Sequence, residues 1–135
     1  MKQGISPTAL FVYGTLCTGE ENAGFLAGLP VEAARVKGQL YRLPAGYPAL
    51  VADSACRWVL GELVSLDGDV RLGVLDHIEG VEQGLFRRLP VPVEVGHRTV
   101  VAWAYLMERT QVRERNGVLI KRGDWRQVSA GRNRG

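Results

Sequence analysis

The sequence predicts an α+β domain whose antiparallel or mixed sheet can curl into a small barrel. Three observations carry that expectation. Apolar runs of strand length outnumber helical stretches and do not alternate strictly with them, in the order β, α, β, β, α, β, β, which disfavours a doubly wound parallel sheet. The 135 residues show no internal repeat and match the size of one domain. Hydrophobic residues make up 46% of the chain, enough at this length for one core without metal or disulfide staples.

Residues 8–13 (TALFVY) are a short apolar, partly β-branched run stopped by Gly14, the pattern of a buried strand running into a loop. Thr18 or Gly19 then starts a helix. Glu20 and Glu21 suit its positive end, Phe25, Leu26 and Leu29 give it an apolar side, and Gly28-Leu29-Pro30 stops it. Nearly alternating apolar positions over residues 31–43, notably Val36 and Leu40, predict a strand with a break or bulge at Gly38. Residues 44–48 (PAGYP) read as a turn.

The next strand covers residues 58–66 (WVLGELVSL) and ends at Asp67-Gly68-Asp69. Asp69 can cap a helix in which Val70, Val74, Leu75 and Ile78 recur at near-helical spacing, and Gly80 suits the left-handed residue after its last turn. Residues 85–95 and 99–107 are strand runs joined at Gly96-His97, a hairpin. Pro90 and Pro92 lack the N–H of a ladder donor, so they mark an edge strand or a bulge. Residues 112–125 leave room for a short element. The domain is accordingly set at 1–128, with 129–135 as a frayed tail.

Composition excludes several classes. No apolar stretch approaches the roughly 18 residues of a membrane span, and the N-terminus lacks the apolar core of a signal peptide. A cytosolic setting is expected, with Cys17 and Cys56 as reduced thiols, since two cysteines without Cys-x-x-Cys spacing build no disulfide framework. Net charge is +3, and from Glu108 onward eight basic residues face three acidic ones. That segment reads as solvated surface rather than a nucleic-acid site, because Trp125 is its one aromatic and stacking platforms are missing.

Phosphate-binding, nucleophile-elbow and His-Glu-x-x-His motifs are absent, and His77-Ile78-Glu79 lacks the Pro-Cys-x-x-Cys half of a zinc deaminase signature. No metal site is expected. What remains is a glycine-bounded loop, Tyr13-Gly14-Thr15-Leu16-Cys17-Thr18-Gly19, and one carboxylate. Such a loop can aim backbone N–H groups at an anion or a developing oxyanion. Glu79 ends its helix, where the negative dipole end opposes ionisation, and Asp76 three residues earlier can add like-charge repulsion. On these residues alone, an ordinary turn and two solvated acids are the favoured reading, with a binding loop and an acid/base as the alternative.

The segments FVYGTLCTGEENAGFL, GQLYRLPAGYPALV, LDHIEG with LFRRLPVPV, and AWAYLM with GDW, in that order and separation, resemble the gamma-glutamylcyclotransferase-like family over nearly all of residues 9–125. The resemblance implies a small mixed or antiparallel β-barrel with flanking short helices. It implies that Tyr13, Gly14, Thr15 and Leu16 hold a γ-glutamyl group, that Glu79 is the acid/base, and that Phe86 lines the substrate site where many relatives have tyrosine. The implied reaction is the attack of the substrate's own α-amine on its γ-carbonyl, giving 5-oxoproline and a released amine, without a cofactor. The missing hydroxyl at Phe86 leaves one alternative: a non-catalytic module that uses the same cavity to bind a small anion or a modified side chain. Tyr41, Tyr47 and Tyr105 are further candidates to line that cavity.

Overall fold

The computed structural model describes residues 7–54 and 57–132. Its strands are β1 (Ala9–Val12), β2 (Val31–Arg42), β3 (Pro48–Ala52), β4 (Trp58–Ser65), β5 (Arg87–Val95), β6 (Arg98–Leu106) and β7 (Val118–Leu119). Its helices are α1 (Val70–Ile78), α2 (Arg109–Glu114) and α3 (Trp125–Arg132). The ring β1-β4-β2-β3-β6 closes because β6 also pairs with β1, Leu10 lying opposite Trp103. The barrel is mixed. Strand β6 runs parallel to β1 and β3, whereas β1–β4, β2–β4, β2–β3 and β5–β6 are antiparallel.

Strand β1 is buried on both faces, as its continuous apolar run requires. Leu10 and Val12 pack with Val64, Leu75, Phe86 and Met107, while Phe11 and Tyr13 pack with Val36, Leu40, Val93 and Trp125. This puts the end of β1, and therefore the loop after Tyr13, between the two apolar layers. Strand β2 does not break at Gly38. Residues 31–37 pair with β4 and residues 38–42 with β3, so Gly38 is the point where β2 exchanges partners. A Cβ there would strike the Val51 carbonyl.

Four other expectations change. The helix expected from Thr18 is only a 3₁₀ turn, Ala23–Leu26. Gly19 and Gly28 adopt left-handed φ values of 83° and 85°, and Glu62 captures both the N–H and the hydroxyl of Thr18 at 2.8 and 3.0 Å. Strand β3 follows directly on the expected turn and is too short to show a pattern. Helix α1 buries Leu72 and Leu75 rather than the stripe Val70, Val74 and Ile78, which is exposed. Asp69 stands at its N-cap position but makes no side-chain capping bond.

The hairpin β5–β6 forms about Gly96 as expected. Beyond β6, the strand pairing of β5 among the described residues is limited to Glu94 opposite Arg35 of β2, so Pro90 and Pro92 lie in a stretch paired on one side. The boundary expected at residue 128 falls inside α3, whose start is held by Asp124 accepting the Arg126 N–H at 3.1 Å. Residues 129–132 continue that helix, and 133–135 lie outside the described residues, as do Cys56 and the N-terminal residues 1–6. No helix among the described residues is long and apolar enough to cross a membrane.

Candidate active site

A cavity of about 270 Å³ opens where the end of β1, the end of α1 and the start of β3 meet. Tyr13, Gly14, Thr15, Leu16, Glu79 and Phe86 all line it. The three sequence segments therefore converge, although residues 13 and 79 are far apart in the chain.

The loop is a turn closed by the Cys17 N–H donating to the Gly14 carbonyl at 3.0 Å. Among the described residues, the N–H groups of Gly14, Thr15 and Leu16 have no protein acceptor. Three successive free donors in a turn form a concavity suited to a carboxylate or an oxyanion. Asn22 braces the turn from behind: its side-chain amide donates to the Thr15 hydroxyl at 3.0 Å and its N–H to the Thr15 carbonyl at 2.8 Å. Glu62, itself 3.8 Å from Arg126 of α3, holds the far end through Thr18. Cys17 is fully buried under the loop, and burial pushes its thiol up to about 12. It is no nucleophile.

Glu79 is the residue just past α1, its N–H bonded to the Leu75 carbonyl at 2.8 Å, and Gly80 follows in the left-handed conformation with φ 67°. Burial raises its carboxyl to about 7. The cause differs from the sequence expectation, which invoked the helix dipole and repulsion from Asp76. Asp76 is held by cationic and hydroxyl partners: Arg88 Nε donates to Oδ1 at 2.7 Å, a second Arg88 nitrogen to Oδ2 at 3.1 Å, and the Tyr105 hydroxyl to Oδ1 at 2.7 Å. The Arg88 guanidinium also lies 4.3 Å over the Trp103 ring. The Asp76 charge, paired in this way, thus weighs little on Glu79.

Tyr105 joins the two halves of the site. Its hydroxyl fixes Asp76, three residues before Glu79, and its carbonyl accepts the buried Tyr13 hydroxyl at 2.6 Å. Burial, with Glu79 adding to it, raises the Tyr13 phenol well above its usual range, so this hydroxyl remains a donor. Tyr105 and Tyr47 line the cavity, Tyr47 tilted against Phe86 at 6.1 Å, whereas Tyr41 bonds Gln39 and is not part of the lining. Sequence reasoning missed Asn22, Glu21, Pro48, Ile78 and Leu85, which also line it. An Asn seven residues beyond Thr15 carries no motif that marks it.

Asp76→Ala should destabilise the fold by about 2 kcal/mol, because it leaves the partly buried Arg88 without its charge partner and Tyr105 without its acceptor. Urea unfolding at neutral pH measures this. A loss under about 0.5 kcal/mol would show that the triad is ordinary surface pairing.

A family profile described as gamma-glutamyl cyclotransferase, AIG2-like, matches residues 10–127. A Niallia circulans protein named gamma-L-glutamyl-butirosin B gamma-glutamyl cyclotransferase is 30% identical over 125 residues, covering 87% of this chain and 75% of its own. The structure of YkqA from Bacillus subtilis superposes with a TM-score of 0.73 at 30% identity, over 95% of this chain. The chain spans only 43% of that protein's length. An AIG2-like protein from Mus musculus shares the fold at a TM-score of 0.56 and 21% identity, over 76% of this chain and 78% of its own. A non-catalytic module, the alternative suggested by Phe86, gives way to these relationships. The profile match over most of the chain, the cyclotransferase relative and the shared closed barrel establish that this protein belongs to the AIG2-like gamma-glutamyl cyclotransferase family and is a cyclotransferase enzyme.

Proposed function

We propose that the enzyme cyclises the γ-glutamyl group of a small γ-glutamyl amine or amide to 5-oxoproline, with Glu79 as general acid/base and Tyr13, Gly14, Thr15, Leu16 and Phe86 as the substrate cradle. The observation that carries this reading is one cavity holding both three acceptor-free loop amides and a carboxylate raised to about 7 by burial. The relative from Niallia circulans, named for a γ-glutamyl compound, supports the same substrate class. The reaction is assigned to the cytosol, where the Cys17 thiol stays reduced.

The nucleophile belongs to the substrate. Glu79 takes a proton from the α-ammonium, whose nitrogen then attacks the γ-carbonyl carbon. A C–N bond forms to close the lactam, and the amide C–N bond to the amine breaks as Glu79 returns the proton to the departing nitrogen. The attacking nitrogen loses a second proton, which balances release of the amine as an ammonium ion. The loop amides hold the α-carboxylate or the carbonyl oxygen as it gains charge. The enclosing walls hold the glutamyl chain in its folded, cyclising conformation, which removes rotational freedom before the chemical step.

A panel of γ-glutamyl compounds, assayed for 5-oxoproline by mass spectrometry, tests the proposal. At least one amine derivative should release stoichiometric 5-oxoproline and free amine. No 5-oxoproline from any member of the panel overturns it.

A further inference from the structure

The lining of the cavity divides by exposure. Its floor, which includes Tyr13, Leu16, Pro48, Phe86 and Tyr105, is buried, whereas Glu21 and Ile78 are exposed and mark the mouth. At about 270 Å³ the space is at the small end of ligand pockets. On the cyclotransferase reading above, a glutamyl group held by the loop amides would fill it, and the amine half of the substrate would emerge between Glu21 and Ile78.

The charge at that mouth is one-sided. Glu21 and Glu79 are the charged residues of the lining, and among the described residues no lysine or arginine contributes to it. Neighbouring guanidinium groups are committed elsewhere, Arg88 to Asp76 and Arg71 to Asp67 and the Phe25 carbonyl. The Glu21 side chain has no ion-pair or hydrogen-bond partner among the described residues. Ile78 ends the exposed stripe that begins at Val70, which is 85% exposed, and passes through Val74. A departing group at this mouth therefore meets an unpaired carboxylate on one side and an alkyl surface on the other.

We propose that the preferred substrates are γ-glutamyl derivatives of cationic alkylamines, with Glu21 as the residue that selects a positive charge remote from the scissile amide. The proposal rests on the cyclotransferase reading above and names the leaving group for it. A leaving amine that carries a carboxylate would bring like charge to Glu21 with no cation to receive it, whereas a second ammonium would be drawn in. Its methylenes lie along Ile78.

Three substrates of matched chain length test this: the γ-glutamyl derivatives of 1,4-diaminobutane, butylamine and 4-aminobutanoate. At low ionic strength kcat/KM should fall in that order, with about tenfold or more between the first and the last. Added salt should compress the series, since the mouth is solvated. Glu21→Gln should shrink the ratio of diamine to aminobutanoate, and Glu21→Lys should reverse it; circular dichroism checks that both variants fold. Equal kcat/KM for all three, or ratios unmoved by Glu21→Lys, overturns the proposal. Release of 5-oxoproline from the butylamine derivative alone overturns it while leaving the general cyclotransferase reading intact. No 5-oxoproline from any of the three, alongside turnover of other γ-glutamyl compounds, overturns the cationic preference only; silence across every γ-glutamyl compound overturns both.

Discussion

Glu79→Gln is expected to slow cyclisation by about 10² to 10⁴, the usual cost of removing a positioned acid/base. The amide keeps the shape of the side chain but cannot accept the α-ammonium proton. In the wild type kcat/KM should rise with pH through a midpoint near 7, where burial places the Glu79 carboxyl of the free enzyme, and the variant should lose that limb. Stability should move the opposite way. Burial raises Glu79 from its ordinary value near 4.5 to about 7, so the fold favours the neutral form. Its contribution is complete below about pH 4.5 and is lost as pH rises through 7. Wild type should lose about 2 kcal/mol between pH 5 and pH 8 from this group, allowing for its partial solvent exposure, and Glu79→Gln should not. Steady-state assays and urea unfolding at the two pH values read both effects. Near-wild-type turnover in the variant would remove Glu79 from the mechanism.

The second large effect belongs to Gly14. A Cβ at this position would overlap the Pro48 ring, and Pro48 cannot yield readily because it is buried at the start of β3, opposite Arg42. Gly14→Val must push the loop outward and carry its amides with it. A displacement near 1 Å is enough to cost about 100-fold in kcat/KM, and overpacking adds about 1–3 kcal/mol of destabilisation. Gly14→Ala should show a smaller loss, and Pro48→Ala in the same chain should restore part of it, a coupling that a double-mutant cycle isolates. A folded Gly14→Val enzyme with wild-type kcat/KM would mean that the loop is a plain connection.

The residues that could be read from sequence were those whose role is local. TALFVY before Gly14, the Gly80 helix stop and the Gly96 hairpin each carry their instruction within a few positions, and the structure places them accordingly. The misreadings have non-local causes. Where a helix is expected after Thr18, the chain forms only a 3₁₀ turn, and Glu62, 44 residues away, holds the Thr18 donors. Val70, Val74 and Ile78 share a helical stripe, yet it is Leu72 and Leu75 that face the barrel; periodicity identifies a face without saying what covers it. At the site, motif residues and cavity coincide. The cause of the raised Glu79 carboxyl was not legible, because burial depends on walls drawn from β1, β3 and β6, and Asp76 is diverted to Arg88 and Tyr105 from other elements.

The bond between the Tyr13 hydroxyl and the Tyr105 carbonyl spans 92 positions of sequence. Any intermediate in which β6 has not yet docked beside β1 lacks it, and lacks the wall against which Glu79 is desolvated. Closing so long a loop is entropically late work in folding, repaid only when the distant strands meet. On the proposed mechanism catalytic competence should therefore require the closed barrel: helix α1 and the β5–β6 hairpin rest on local contacts, whereas the walls that bury Glu79 come from β1, β3 and β6. Turnover should accordingly return during refolding no earlier than closure of the ring, a step that probes of secondary structure alone do not report.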